Sequence, residues 1–221
     1  MKMFDTPAPI SAVLDIPAGH VRFVAADRAD TAVEVLPADA SKGRDVKVAE
    51  QTTVEYGDGV LRIEASAENQ FFRSSGSIEV TVQLPAGSRV EAKAASAEFQ
   101  GVGRLGDVTF EGSHGSIKLD EAASVRLTTH ADDVTVGHLS GPAEISTGKG
   151  DIRIAEAVRG TVVLRTQAGD VSVGAAAGVS ASLDAGTSYG RIQNALKNTD
   201  GAADLNIHAT TAYGDITARS L

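Results

Sequence analysis

The sequence predicts an all-β chain: a β-solenoid (β-helix) of about seven short coils, preceded by an antiparallel, sandwich-like cap. Three observations carry this expectation. A Gly-Asp corner followed by an apolar–polar–apolar triplet recurs, as in Gly150-Asp151-Ile152-Arg153-Ile154 and Gly169-Asp170-Val171-Ser172-Val173. Two apolar columns keep a common period. No long segment shows a 3.6-residue apolar period, whereas two-residue alternation is common.

The N-terminal third is expected to be β-rich but irregular. Ile10–Ile16, Val21–Ala25, Ala32–Leu36, Val46–Tyr56, Val60–Ala65 and Ile78–Leu84 read as strands. Pro17-Ala18-Gly19 and Pro85-Ala86-Gly87 are near copies and read as turns between strands. Residues 1–88 are assigned to the cap, because a bare solenoid end presents unpaired backbone groups. Glu68–Gly76, which holds Phe71 and Phe72, reads as a mobile loop.

Residues 89–221 carry the repeat. The first apolar residue after each corner falls at Phe99, Ile117, Val134, Ile152, Val171, Ile192 and Ile216, in steps of 18, 17, 18, 19, 21 and 24. A second column reads Ala92, Phe110, Leu127, Ile145, Leu164, Leu183 and Ile207, in steps of 18, 17, 18, 19, 19 and 24. Each unit is strand, corner, strand, corner. Alternation puts Leu127, Thr129, Val134 and Val136 on the inner face. No such strand pair buries its apolar face alone, but stacked coils do. Glycine provides the sharp corner. The aspartate after it is expected to accept a backbone N–H two residues on. The longer final steps place insertions near 195–201 and 209–212.

The motifs Leu14-Asp15-Ile16-Pro17-Ala18-Gly19 and Val80–Gly87, with the repeated Gly-Asp-Ile/Val, resemble the adhesin-like β-strand-repeat proteins of bacteria, a family of uncharacterised function. The resemblance implies a β-helical fold over most of the chain. It supplies no catalytic residues.

Composition narrows the function. Twenty-nine acidic and 20 basic side chains give a net charge of −9, the wrong sign for tracking phosphates, so no nucleic-acid partner is expected. The absence of cysteine removes disulfide and thiolate chemistry and fits a reducing compartment. Pro7, Pro9, Asp15 and Pro17 interrupt the start, and no apolar run approaches the ~20 residues that span a bilayer. A cytoplasmic location and no membrane partner are therefore expected.

Several motifs invite sharper readings. Gly101–Gly106 matches GxGxxG, but a strand follows where a nucleotide site needs a helix, so no cofactor is expected. Glu98, Asp133, Asp151, Asp170 and Asp215 form a corner column that Ser116 and Arg191 interrupt; it reads as corner capping. His114, His130 and Asp132 fall near one corner of adjacent coils, a donor set with some metal-site character, but they read as turn residues and no metal is expected. His20, His138 and His208 lack evident companions. Thr129, Thr147 and Thr166 form an inward column; Lys118, Thr135, Arg153, Ser172 and Gln193 form an outward, mixed one. No catalytic residues emerge.

The expected function is therefore non-enzymatic: a rigid scaffold that self-associates or binds another protein. The alternative is a carbohydrate-active or metal-dependent enzyme on a β-helix, marked by a groove with paired carboxylates. Self-association is expected through the last coil, by Ile207, Ile216 and Leu221, as a twofold dimer.

Overall fold

A computed structural model of the chain describes residues 1–65, 76–198 and 202–221. The fold is all-β: among the described residues there are 17 strands and a single α-helix. The expected loop at Glu68–Gly76 lies almost wholly outside the described residues, as does the end of the expected 195–201 insertion. The chain divides into two units, Met1–Gly115 and Ser116–Leu221.

The first unit contains β1 (Lys2–Asp5), β2 (Ser11–Ala26), β3 (Asp30–Pro37), α1 (Gly43–Gln51), β4 (Thr53–Gly57), β5 (Val60–Glu64), β6 (Ile78–Pro85) and β7 (Arg89–His114). β2 organises it. The strand pairs in parallel with β7 from Ser11↔Arg89 to Ala25↔Gly103, with β5 along Ser11–Asp15, and with β6 along Gly19–Ala26. Among the described residues, antiparallel pairing is confined to β1–β3, β3–β6 and β4–β5. Antiparallel pairing thus lies at the margins of this unit, while its centre has parallel, solenoid-like pairing. The two Pro-Ala-Gly copies also differ. β2 runs through Pro17-Ala18-Gly19 because Ala18 keeps its ladder position opposite Ser96, whereas Pro85-Ala86-Gly87 separates β6 from β7. Phe23, Phe99 and Phe110 fill the core, with successive ring centroids 5.7 and 5.2 Å apart.

One expected strand is wrong over much of its length. Val46–Gln51 belongs to α1, and β4 begins only at Thr53. The Val46-Lys47-Val48 alternation suggested extension. However, Arg44, Lys47, Ala49, Glu50 and Gln51 are good helix formers. Asp45 adds a carboxylate in the first turn and, almost fully buried, accepts the Ser77 N–H at 3.0 Å.

The second unit contains β8 (Ile117–Thr128), β9 (Val134–Leu139), β10 (Ala143–Lys149), β11 (Ile152–Ala157), β12 (Gly160–Ala168), β13 (Val171–Ala175), β14 (Ala181–Tyr189), β15 (Ile192–Ala195), β16 (Leu205–Tyr213) and β17 (Ile216–Ser220). Among the described residues all of its strand pairings are parallel. One ladder runs β8–β9–β11–β13–β17–β15 and aligns Ile117, Val134, Ile152, Val171, Ile216 and Ile192. The other runs β8–β10–β12–β16–β14 and aligns Val125, Ala143, Val162, Ile207 and Leu183.

Both ladders correct the linear order expected from the columns. The last coil, β16–β17, lies between β12–β13 and β14–β15, so the chain passes one level, builds a coil, and returns to fill the gap. The two longest steps in the repeat are the residues that make this passage. Ile207 and Leu183 also align with Val162 rather than with Leu164, which pairs with Ala209. A shift of two residues keeps every side chain on its face, so the apolar pattern alone could not reveal it.

Glycine at the corner is a requirement of close approach. Gly150, Gly169 and Gly214 have φ of 140°, 154° and 151°. A Cβ on each would lie 2.2, 2.0 and 2.0 Å from the carbonyl oxygen of Asp132, Gly150 and Gly169 respectively, on the neighbouring coil. Gly169→Ala is expected to destabilise the protein by about 3 kcal/mol, lowering Tm by roughly 6–12 °C. Gly186→Ala, where a Cβ meets nothing within 4 Å, should leave Tm nearly unchanged. Paired thermal melts check both.

Candidate functional site: corner ladder and open edge

Four of the five corner carboxylates, Asp133, Asp151, Asp170 and Asp215, form one continuous hydrogen-bonded ladder, while Glu98 faces His20 instead. Asp151 N–H donates to Asp133 Oδ1 at 2.8 Å, Asp170 N–H to Asp151 Oδ1 at 2.8 Å, and Asp215 N–H to Asp170 Oδ1 at 2.7 Å. Arg191 N–H donates to Asp215 Oδ1 at 2.8 Å, and the Arg191 guanidinium meets Asp215 Oδ2 at 3.1 and 2.7 Å. The order 133–151–170–215–191 repeats the interleaving of the coils. Each carboxylate caps the next coil, not the backbone two residues along its own chain as expected. The glycine corner brings the next N–H within reach. Arg191, which looked like a break in the column, caps its final level.

A second column works inside the corners. Thr166, Thr211 and Thr187 hydroxyls donate to the Gly150, Gly169 and Gly214 carbonyls at 3.1, 3.0 and 3.0 Å. Thr129 and Thr147 donate to Ala131 and Lys149 carbonyls at 3.0 and 3.3 Å. Thr187 and Thr211 were not among the expected members. The signal was present, because Thr147, Thr166, Thr187 and Thr211 each stand three residues before a corner glycine. Asp132, at φ 95°, occupies the corresponding corner position after Thr129.

The three solitary histidines have cross-strand partners. His20 lies between Glu79 and Glu98 and is 3.3 Å from the latter. His138 lies between Glu121 and Glu156 and is 2.9 Å from Glu156. His208 is 3.3 Å from Asp184. Their carboxylates come from strands distant in sequence, so spacing along the chain could not show them. In the first unit His20, Arg22, Glu79, Thr81, Glu98 and Gln100 line a shallow polar groove. His114 ends β7 in the first unit, whereas His130 and Asp132 are exposed between β8 and β9 in the second. Among the described residues no three His, Asp or Glu side chains are grouped to hold a metal ion. The GxGxxG stretch lies inside β7, where Gly103 and Gly106 admit the Ala25 and Gly87 carbonyls.

Ile207 and Ile216 are buried, both 1% exposed, and each is flanked by strands on two sides; Leu221 is 51% exposed, its N–H donating to the Ala175 carbonyl. They do not share an exposed edge. The edge coil is β14–β15: among the described residues β14 pairs only with β16 and β15 only with β17. Ile192 there is 46% exposed, whereas Ile117, Val134, Ile152, Val171 and Ile216 in its column are at most 1%. Tyr189 stacks on Tyr213 with centroids 5.0 Å apart and planes 4° apart, and both rings are exposed.

Parallel coils joined by corner glycines and an aspartate ladder define a β-solenoid-like repeat protein. The chain belongs to the Toastrack DUF4097 family, whose model matches residues 13–220. Similar solved structures include a "putative adhesin" from Parabacteroides distasonis, 13% identical, with 98% of this chain and 95% of that one covered at a TM-score of 0.50. Another "putative adhesin", from Bacteroides fragilis, is 11% identical over 98% and 95% of the two chains, with a TM-score of 0.47. A "putative lipid binding protein" from P. distasonis is 12% identical over the same shares, with a TM-score of 0.46. At such identities the likeness concerns the fold. No curated protein matches the chain.

The ladder carries a pH dependence. The Arg191 hydrogen bond holds the Asp215 carboxyl below its ordinary range. A depressed folded value contributes stability that is present above the unfolded pKa and is lost as pH falls through the folded one. Asp215→Asn keeps an acceptor for the Arg191 N–H but loses the charge. It should melt below wild type at neutral pH, and the gap should close as pH falls below about 4. Melting curves across the acid range check the sign.

Proposed function

We propose that this chain is a non-enzymatic interaction module, a rigid β-solenoid scaffold that binds a second copy of itself or another protein. The observation that supports it most is the use of the repeat's polar side chains. The corner aspartates Asp133, Asp151, Asp170 and Asp215, with Thr166, Thr187 and Thr211, the groups with most chemical potential, are hydrogen-bonded between neighbouring coils. Their arrangement stiffens the stack. The designation of one similar fold as a putative adhesin is of the same kind. About seven coils with an N-terminal cap are part of this reading, as is the expectation of protein rather than nucleic-acid partners.

The test has two arms. In-cell crosslinking with the full chain, followed by mass spectrometry, should recover crosslinks to a protein or to a second copy. The purified chain, assayed on an oligosaccharide panel with and without added calcium or zinc, should show no turnover. Turnover that falls when Glu98 or Glu79 is replaced by Gln would overturn the reading in favour of a β-helical enzyme.

A further inference from the structure

We infer that the coil formed by β14 and β15 is a homodimer interface, joined edge to edge about a twofold axis. This inference rests on the interaction-module reading and names its surface and partner. Its starting point is the contrast within one apolar column. From Ile117 to Ile216 the column is sealed, and at Ile192 it opens to 46% exposure. Leu183, next to buried Ile207 in the other ladder, is only half-buried. One further coil would cover both.

The backbone has the same incompleteness. In a parallel pair, alternate residues direct both N–H and C=O toward one neighbour. Leu205 N–H donates to Ser180 and Ile216 N–H to Arg191, which fixes the phase. Leu183, Ala185 and Thr187 on β14, and Ile192 and Asn194 on β15, therefore direct their backbone groups to the open side. Among the described residues, only the first residue of β14 is covered there, where Ala181 N–H donates to the Lys197 carbonyl.

The occupant must satisfy two strand edges at once, on both faces of the coil, and cover the apolar mouth between them. A single extended peptide satisfies one edge. A second open coil satisfies both, and this chain carries one. A dyad normal to the two faces sets β14 against its own copy and β15 against its own copy, both antiparallel. Inward side chains then remain inward, and the contact is isologous and closed. Charge favours the same occupant. Residues 181–198 carry Asp184 against Arg191 and Lys197, so 2 − 1 = +1, whereas the whole chain carries −9. This end lacks the acidic excess that opposes approach of two copies elsewhere.

Sedimentation equilibrium of the full chain at micromolar concentrations tests it. A species of twice the 22.7 kDa chain mass is expected. Ile192→Lys places a charge at the mouth. Ala185→Pro removes an N–H that no strand among the described residues uses and blocks the edge, a position that tolerates proline. Both variants should be monomeric, with the dimer weakened at least about tenfold, the effect of ~1.4 kcal/mol. Thermal melting establishes that each variant is folded, and Ala185→Pro decides if Ile192→Lys is not. A monomeric wild type, a species growing beyond the dimer, or a dimer that the folded variants leave intact would overturn the inference. A monomer that crosslinks to another protein sinks this interface and leaves the proposed function standing. A catalytically active dimer does the reverse.

Discussion

The second unit depends on how closely successive backbones approach at the corner. A carbonyl oxygen of one coil occupies the place where a Cβ of the next would stand, as at Gly150, Gly169 and Gly214. Only glycine permits this. Once the approach is made, the next coil's N–H comes within reach of the aspartate after the glycine. The corner carbonyl of a neighbouring coil comes within reach of Thr166, Thr187 and Thr211. Corner, carboxylate ladder and hydroxyl column are thus three consequences of one steric condition. The first unit meets the same condition at Gly115, against the Ala97 carbonyl, and at Gly19, against Ile78.

The ladder also explains how an acidic chain stacks its aspartates. Carboxylates one coil apart would repel if each faced only its neighbour. Here each places an N–H between itself and the next, and the last level supplies a guanidinium. The histidine–carboxylate pairs use the same economy on the outer faces, with cross-strand register as the organising element. None of the three pairs joins residues near in sequence.

Interleaving of the last two coils decides which apolar side chains are sealed and which lie at the edge. It seals Ile207 and Ile216 and leaves Ile192 and Leu183 at the mouth of the core. The stacked Tyr189–Tyr213 pair lies at the same end, extending a column that holds Lys149 and Ala168 in earlier coils. The corner aspartates along the stack are engaged between coils, and among the described residues β14 and β15 each pair with one strand.

By itself the sequence determined the fold class, the corners, the inner face and the family resemblance. These rest on local rules: a two-residue alternation, a corner only glycine can make, and a spacing near 18 residues. Helix α1 was hidden because Val46 and Val48 alternate over too short a span to distinguish the two periods. The vertical order of the coils was not legible, because any coil of this pattern presents the same columns to any other. Only tertiary structure decided that β16–β17 enters beneath β14–β15, that the ladder ends on Arg191, and that each histidine meets a carboxylate. Those choices depend on which strand edges meet in space; the two long steps in the spacing mark where the chain passes but not which edges it joins.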